Sequence, residues 1–398
     1  MYTKSYQPPQ LPIYFDTAAT TQVDPLVSEA MSAVLNDATH FANPSSTEHN
    51  LGRQAEEYIE DSRALIANEF NCEPDEVVFT CGATESINLA LRGVMDALAL
   101  HAPEQKRHII TSTIEHSATA ACCSALEQTG TEVTYLDPAA DGRINPQSLR
   151  QALTPETVLI SLIHTSNEVG TIQPIEEIAA IAAEHGVILH VDAAQAAGKM
   201  PIDMAKSGID MLSLSAHKFH GPKGSGCLII RDRQRLPIRP LCFGGGQEFG
   251  LRPGTLATHQ IVGLSKALEL AAQRRAEDLK HVSGLRQRFL GCLQDAGIDM
   301  YIHTPLEYSS PYIINFAIAG IPSSVLINQT REQIAIASGS ACSSGSLDPS
   351  PILRAMGVEG DPLYGAVRVS FSRQHTEAEI DYAAAAISNA AQRVKQMR

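Results

Sequence analysis

A carboxylate and a lysine each follow a short apolar run in the middle of the chain. Asp192 comes directly after the run 188–191, and Lys218 lies just beyond the run 211–215. A carboxylate at the end of a buried strand is costly unless it meets a cation or a hydrogen-bond donor. A lysine alone is more often a solvated surface charge, so the pair carries the prediction. Pyridoxal phosphate (PLP) needs such a pair, because it takes a Schiff-base lysine and an acid for its pyridinium nitrogen.

A second polar segment follows the apolar run 77–80. Small and hydroxylated residues dominate positions 81–86, Cys-Gly-Ala-Thr-Glu-Ser, ahead of a helical pattern. Free backbone N–H groups and the helix dipole favour a phosphate at such a helix start. The alternative is an ordinary helix cap made by the Thr84 hydroxyl. The sequence has no P-loop, no His-Glu-x-x-His motif and no Gly-x-Gly-x-x-Gly after an early strand, which disfavours those ligand classes.

Cys342 lies in a segment of small residues, 338–346, with the sequence Ser-Gly-Ser-Ala-Cys-Ser-Ser-Gly-Ser. Such a run cannot pack a core, so we expect it to be mobile. A mobile thiol could reach into a cleft, take up a sulfur atom and carry it out again; the alternative is an incidental loop cysteine. No Cys-x-x-Cys pair occurs, so no metal site is expected. Most of the remaining cysteines are expected to be small buried hydrophobes: Cys72, Cys81, Cys122, Cys123, Cys227, Cys242 and Cys292.

The composition is that of an ordinary globular protein. The chain has 398 residues, of which 44% are hydrophobic and 19% charged, and its net charge is −14. So acidic a chain is a poor candidate for direct binding to nucleic acid or to an anionic membrane. No apolar run is long enough to cross a bilayer, and residues 1–10 have no apolar signal-peptide core. We expect a cytoplasmic protein with reduced thiols and roughly two or three domains.

Apolar β-rich runs alternate with helical patterns over the first half of the chain. This alternation predicts an α/β fold with a mostly parallel sheet covered by helices on both faces. In such a sheet, ligands bind beyond the carboxyl ends of the strands, where Thr84, Asp192 and Lys218 would meet. The predicted strands are 77–80, 108–111, 133–136, 158–163, 188–191 and 211–215, and the predicted helices include 85–97, 116–129 and 174–185.

A long helix is predicted after a glycine-rich loop at 244–255, and it leads into a smaller α+β domain. We place the domain boundary inside this helix. The large domain is then 16–272, and the small domain consists of 1–15 and 273–398 and carries the loop 338–346. The expected buried stripe of the helix is Leu264, Leu268, Ala272, Leu279, Val282 and Phe289.

Ten motifs follow one another between about residues 13 and 391: YFDTAATT, FANPSS, CGATES, IEHSAT, HTSNEVGTIQPI, HVDAAQAAGK, SLSAHKFHGPKGSG, GGGQEFGLRPGTL, SGSACSSGSLDPSPILRAMG and VRVSFSR. Together they resemble the cysteine desulfurases of the NifS/IscS type, class V of the PLP-dependent aminotransferase superfamily. The long loop around Cys342 is similar to that of the group I enzymes. The resemblance implies the PLP-dependent transferase fold type I, with a mostly parallel seven-stranded sheet domain and a smaller α+β domain.

The same resemblance implies a role for each candidate residue. Lys218 would hold PLP as a Schiff base, Asp192 would pair with the pyridinium nitrogen, and Gln195 would bond the phenolic oxygen. His116 would stack on the ring and take part in proton transfer. The phosphate would be held by Ala83, Thr84, Ser215 and His217, with Thr255 reaching it from the second subunit of a homodimer, and the substrate end would use Asn43, Asn167 and Arg368.

The implied reaction converts L-cysteine to L-alanine. The Cys342 thiolate, with His116 as a candidate proton acceptor, would attack the substrate sulfur and hold it as a persulfide for an acceptor protein. The chain ends at Arg398 without the further tail of housekeeping IscS proteins, and its glycine-rich motif is similar to the DndA and SspA desulfurases of DNA phosphorothioation. We therefore favour that pathway over iron–sulfur cluster assembly. The alternatives are another class V enzyme, an aminotransferase or lyase, or a non-catalytic scaffold that binds partner proteins.

Overall fold

A computed structural model of the chain describes residues 11–38, 41–338 and 348–397. Cys342 and almost all of the loop 338–346 lie outside the described residues, so the expected mobility of that loop stays a prediction. The described strands are β1 (Ile13–Tyr14), β2 (Val77–Thr80), β3 (His108–Ser112), β4 (Glu132–Leu136), β5 (Thr157–Ile163), β6 (Ile188–Asp192), β7 (Met211–Ser215), β8 (Gly226–Ile230), β9 (Met300–Ile302), β10 (Ile313–Ile318), β11 (Ile334–Ala335), β12 (Ala337–Ser338) and β13 (Val367–Ser370).

The α-helices cover the strands and connect them. In the described residues they are α1 (Pro25–Asn36), α2 (Asn50–Phe70), α3 (Ala83–His101), α4 (Ser117–Glu127), α5 (Pro146–Ala152), α6 (Ile175–His185), α7 (Met204–Ser207), α8 (Thr258–Asp295), α9 (Ser323–Thr330), α10 (Pro351–Ala355), α11 (Gly360–Tyr364) and α12 (Glu377–Gln396). No helix in this part of the chain combines the length and the apolar character needed to cross a membrane.

The central sheet has the strand order β2-β8-β7-β6-β5-β3-β4. The strand β8 is antiparallel to both of its neighbours, and the other pairs are parallel. Every residue of β2, β3, β7 and β8 is buried, because helices cover both faces of the sheet. The mostly parallel seven-stranded sheet is therefore confirmed. The predicted strands agree with the observed ones to within one residue at each end; β8 was not predicted, since its opening glycine is typical of a turn.

Helix α8 runs between two separate groups of buried side chains. Leu264 and Leu268 belong to the core under the central sheet, and Val282 and Phe289 belong to a second core. The second core lies against an antiparallel sheet with the order β12-β13-β10-β9. Leu279 was expected on the buried stripe, but it is 40% exposed because it lies where α8 passes from one core to the other.

We propose the domain boundary in this same stretch of α8, near residue 272. The buried residues Ile13 and Phe15 support the proposal, because they pack in the second core although they come from the other end of the chain. One part of the C-terminal segment crosses back: Ile352 and Leu353 of α10 pack in the core of the central sheet.

The segment after β1 lies between the two cores and reaches the carboxyl ends of the central strands. The strand β1 pairs in parallel with β11, and the Ala18 N–H donates to the Ser370 hydroxyl at 2.9 Å. On the other side, the Thr21 N–H donates to the His217 carbonyl at 2.8 Å. These contacts hold residues 16–21 against the turn that carries Lys218.

Candidate active site

A cleft of about 490 Å³ opens at the carboxyl ends of the parallel strands. Apart from Ala19, which follows β1, the residues that line it end or follow β2, β3, β5, β6 or β7, as expected for a ligand site in an open α/β sheet. The structure brings most of the candidate residues together in this one cleft: Ala83, Thr84, His116, Asn167, Asp192, Gln195, Ser215, His217 and Lys218.

Lys218 ends a short 3₁₀ turn, Ala216–Lys218, that directly follows β7. Its Nζ donates to the carbonyl oxygen of Ala18 at 2.7 Å and to that of Ala19 at 2.9 Å. Both acceptors belong to the segment between the two cores. The amine is therefore held at a defined place in the cleft by neutral oxygen atoms, where it could form a covalent bond to an aldehyde.

Asp192 is the last residue of β6, and it is 2% exposed. Its Oδ1 accepts a hydrogen bond from the Ala194 N–H at 2.9 Å. Burial raises the pKa of Asp192, while the hydrogen bond from Ala194 and the charges of His116 and Lys218 act in the opposite direction. A carboxylate in this position gains most from a cationic partner in the cleft, such as a protonated pyridine nitrogen.

His116 is the N-cap residue of α4. Its Nδ1 accepts a hydrogen bond from the Ala118 N–H at 3.1 Å, so the proton of the neutral ring lies on Nε2. Burial lowers the pKa of His116, and Asp192 opposes this shift. The arrangement gives the cleft a neutral imidazole with an N–H donor.

The start of α3 forms one end of the cleft, which we call the phosphate end because the sequence predicts a phosphate site there. The helix begins at Ala83 behind the N-cap Gly82, and no side chain of the described residues caps it. Thr84 lies inside the first turn, so it is not the N-cap and the ordinary-cap alternative does not hold. Gly82 has a φ of 147°, and a Cβ there would lie 3.3 Å from the Ser215 hydroxyl. The uncapped N–H groups beside that hydroxyl could bind a phosphate.

His217 lies beside the phosphate end and is neutral. Burial, followed by the charges of Lys218, Lys223 and Lys199, lowers the pKa of His217 to about 4. Its Nδ1 lies 3.0 Å from the Thr20 hydroxyl. Hydrogen bonding rather than ionic attraction is therefore what the His217 ring can offer a phosphate.

Asn167 and Arg368 form the other end of the site. Arg368 is 1% exposed, and it does not line the cleft directly. Its Nη1 donates to the Asn167 carbonyl at 2.7 Å, and its Nη2 lies 2.6 Å from the Asp16 carboxylate. The Asn167 Oδ1 and the Arg368 Nε are buried without a hydrogen-bond partner among the described residues. Two unsatisfied polar atoms on residues in contact are the expected mark of a polar ligand.

Two candidate residues, Asn43 and Thr255, do not line the cleft, and a third cannot be placed. Asn43 is exposed, and its side-chain oxygen accepts a hydrogen bond from the Ser45 N–H at 2.9 Å rather than facing the cleft. Thr255 is exposed in the loop before α8 and does not line the cleft of its own chain. Cys342 lies outside the described residues.

Sequence reasoning missed the groups that hold the candidate side chains in place. These are the main-chain oxygens of Ala18 and Ala19, the carboxylate of Asp16, and Lys199, whose Nζ donates to the Gln195 Oε1 at 3.0 Å. A signal existed for Lys199, because a lysine among small apolar residues directly after the Asp192 strand is unusual for a solvated charge. The carbonyl oxygens left no signal, because any residue provides one.

The residues in the cleft fit PLP. An amine, a buried carboxylate and an uncapped helix start lie around one space, and these are the groups that its aldehyde, ring nitrogen and phosphate require. The volume of about 490 Å³ lies within the range of cofactor sites. The described residues contain no group of three or more His, Cys, Asp or Glu side chains that could hold a metal ion.

Comparisons with known proteins identify the family of the chain. The aminotransferase class-V family model matches residues 13–383. The cysteine desulfurase IscS of Vibrio atlanticus (strain LGP32) is 43% identical over 389 residues, which are 98% of this chain and 95% of that protein. A solved NifS-like protein is 36% identical, with a TM-score of 0.87, covering 96% of this chain and 100% of that one.

A structure of SspA in complex with cysteine is also similar. It is 38% identical, with a TM-score of 0.78, and the match covers 92% of this chain and 100% of that chain. Family model, relatives and solved structures thus agree over nearly the whole chain. The protein belongs to the class-V aminotransferase family, among its PLP-dependent cysteine desulfurases.

Proposed function

We propose that this cysteine desulfurase moves the sulfur of L-cysteine onto the Cys342 thiol and then to an acceptor protein, leaving L-alanine. One observation carries the proposal: Lys218, Asp192 and His116 surround a single ligand-sized cleft. They provide an amine, a buried carboxylate and an N–H donor, which together suit amino-acid chemistry on a pyridine cofactor.

Lys218, Asp192 and Gln195 would hold PLP, with its phosphate against the start of α3 and the Ser215 hydroxyl. When bound, PLP supplies an electron-withdrawing ring that stabilises negative charge at the substrate Cα. The protein's own contribution is orientation. Asp192 is anchored by the Ala194 N–H, and the Gln195 amide nitrogen donates to the Ala18 carbonyl at 2.7 Å.

Lys218 is the proposed base of the reaction. Once the substrate amine occupies the position of the Lys218 amine, the Lys218 Nζ is free to remove the proton from the substrate Cα. The carbonyl oxygens of Ala18 and Ala19 accept hydrogen bonds from this amine and keep it at the cleft. The same amine can then return the proton to the product.

His116 is the proposed hydrogen-bond donor at the reacting end of the cleft. Its Nδ1 is occupied by the Ala118 N–H, and Nε2 carries the proton of the neutral ring. To accept a proton from the Cys342 thiol, the ring would have to give up its cap on α4. The geometry therefore favours hydrogen-bond donation from Nε2 over the proton acceptance that the sequence suggested.

Cys342 is the proposed sulfur carrier. Its thiolate forms a bond to the substrate sulfur while the substrate Cβ–S bond breaks, and the electron pair of that bond stays on the carbon fragment, which is protonated to alanine. The described residues flanking the loop support this role. Ala337 pairs with Arg368 between β12 and β13, and Ser350 donates to the Glu168 carboxylate at 2.5 Å, next to Asn167. Both ends of the loop thus begin at the substrate end of the site.

A homodimer and a cytoplasmic location complete the proposal. Thr255 is exposed and turned away from its own cleft, as expected of a residue that serves a second subunit. Mixing the inactive variants Lys218→Ala and Thr255→Ala would restore part of the activity if each cleft uses Thr255 of the other chain. All seven cysteines of the described residues are free thiols, which suits a reducing compartment.

The test of the function is incubation with L-cysteine and a reductant, followed by measurement of sulfide and alanine. Equal amounts of the two products are expected, with none from the Lys218→Ala variant. The exposed Lys206→Ala variant is the matched control. A keto acid instead of alanine would identify an aminotransferase, and the absence of any product with bound PLP would identify a scaffold; either result would contradict the proposal.

A further inference from the structure

Lys199 is a buried lysine with no assigned role. It is 9% exposed, and within the described residues its amine has no carboxylate within ion-pair distance. Its contacts are the Gln195 Oε1 at 3.0 Å and the ring of Tyr312, whose centroid is 5.4 Å away. Burying an ammonium group is expensive, so a lysine in this position calls for a compensating function.

The charges that act most strongly on Lys199 are cationic, although Asp278 lines the same small cavity. Burial, and then the charges of Lys218 and Arg368, lowers the pKa of Lys199 to about 7. The titratable and charged groups that face it from neighbouring elements, some of them across a cavity of about 20 Å³, are Lys218, Arg368, His217, His220, Asp278, Arg373 and Tyr312. The two histidines are neutral near pH 7, because burial lowers their pKa values to about 4.

The two partners of Gln195 determine which way its amide points. As an ammonium group Lys199 can only donate a hydrogen bond, so the atom facing it is Oε1. The Ala18 carbonyl can only accept, so the atom facing it, 2.7 Å away, is Nε2. Because Gln195 lines the cleft, the second hydrogen of Nε2 is left to the ligand. If Lys199 lost its amine, the amide oxygen would be free to turn towards the cleft.

We propose that Lys199 is a positioning residue: it holds the Gln195 amide with its nitrogen towards the phenolic oxygen of PLP and adds positive charge behind that amide. The inference rests on the proposed function, in which Gln195 bonds this oxygen. Cofactor binding reinforces the arrangement. It brings an anionic oxygen close to the Gln195 amide, and that negative charge favours the protonated form of Lys199.

The sign of the effect on the cofactor follows from charge. Positive charge behind the phenolic oxygen stabilises the anionic oxygen and makes the neighbouring Schiff-base nitrogen easier to deprotonate. Replacing Lys199 by a neutral residue should therefore raise the pH at which the yellow absorbance of the loaded enzyme titrates. We expect a shift of about one unit, which is a tenfold change in proton affinity.

The experiment compares Lys199→Met, Gln195→Ala and the double variant, with Lys206→Met as the control at an exposed position. Two quantities are measured: the pH midpoint of the yellow absorbance, and the PLP affinity of the apoprotein. Lys199→Met and Gln195→Ala should each raise the midpoint and weaken PLP binding by about tenfold, and the double variant should be no worse than the more affected single variant.

An unchanged midpoint and affinity in Lys199→Met, with lower thermal stability, would overturn the inference and leave Lys199 as a packing residue. Additive effects in the double variant would also overturn it, because Lys199 would then act independently of Gln195. If Lys199→Met does not fold, Lys199→Gln is used instead, because it keeps a hydrogen-bond donor without the charge. A higher pH midpoint of the yellow absorbance in Lys199→Gln supports the inference, and an unchanged midpoint overturns it. Sulfide release by the wild type, measured in parallel, tests the proposed function separately.

Discussion

The two ends of the active-site cleft are built in different ways. At the cofactor end, Asp192 and Lys218 follow strands of the central sheet, and each has hydrogen-bond partners within the chain. At the proposed substrate end, Asn167 at the cleft and Arg368 behind it come from opposite sides of the boundary between the two cores. There, the Asn167 Oδ1 and the Arg368 Nε are buried without a partner in the described residues.

This difference indicates that the cofactor end is complete before the substrate binds, whereas the substrate end is not. The central sheet positions the residues of the cofactor end, so a substitution there should cause loss of the cofactor. The substrate end still has polar atoms to satisfy, and it adjoins the described residues that flank Cys342. A substitution there should leave PLP bound, so the protein should stay yellow but bind or convert cysteine poorly.

The largest expected effect is that of Lys218→Ala. Loss of the amine proposed to hold PLP covalently should abolish sulfide release and the yellow absorbance of the Schiff base. Absorbance spectra and borohydride reduction followed by peptide mapping provide the measurement. A reducible PLP adduct on another lysine, for example Lys223 at the cleft, would contradict the assignment.

Cys342→Ser should separate the two ends. We expect full cofactor absorbance and no sulfide from cysteine, since the carrier thiol is lost while every proposed PLP ligand is kept. Cys81→Ser is the matched control, because Cys81 is exposed and also lines the cleft. Normal turnover in Cys342→Ser, or its loss in Cys81→Ser alone, would move the sulfur carrier to another thiol.

Arg368→Ala should act mainly on substrate binding. Its KM for cysteine should rise by about tenfold to a thousandfold, because a hydrogen bond to a charged group contributes roughly 1.5–3 kcal/mol and more when desolvated. Steady-state kinetics test this against Arg331→Ala, a change at an exposed arginine. Because Arg368 is buried, the melting temperature is checked first, and an unchanged KM in a folded variant would show that the carboxylate binds elsewhere.

The smallest effect concerns Glu115 beside the cofactor end. Burial raises the pKa of Glu115 to about 8, the Ser112 hydroxyl donates to its Oε1 at 2.5 Å, and its Oε2 has no partner among the described residues. Between the ordinary pKa of a glutamic acid and pH 8, the folded state therefore keeps a proton that the unfolded chain releases. The free energy of unfolding falls as the pH rises through this range.

Glu115→Gln cannot ionise, so at pH 9 its melting temperature should exceed that of the wild type. This difference in melting temperature should be about 2–4 °C larger at pH 9 than at pH 6. Melting curves at both pH values provide the measurement, with the exposed Glu57→Gln as the control. A constant difference between variant and wild type across this range would show that Glu115 is ionised in the folded protein.

Much of the cofactor end could be predicted from the sequence, for a physical reason. Buried parallel strands are short apolar runs, and a polar residue directly after such a run lies at the ligand edge of the sheet. That logic located Asp192 and Lys218 correctly in one cleft. It failed at Leu279, because the period of a helix does not reveal where the helix leaves one core for another.

The supporting contacts could not be predicted in the same way. The Ala18 carbonyl accepts a hydrogen bond from Gln195, a residue distant in the chain. Lys199 is buried although lysines are usually exposed, and it acts through a hydrogen bond to Gln195. The sulfur acceptor, the homodimer and the preference for DNA phosphorothioation stay predictions. They depend on surfaces between chains, about which apolar periodicity within one chain carries no information.

The central claim is that cysteine bound beside Lys218 gives its sulfur to Cys342. The most direct measurement is a single turnover with L-cysteine in the absence of reductant, followed by peptide mass spectrometry of all eight cysteines and measurement of alanine. We expect one added sulfur atom on Cys342 for each alanine formed, and neither product in Lys218→Ala. Added sulfur on another cysteine with Cys342 unmodified, or alanine formed without any persulfide, would contradict it.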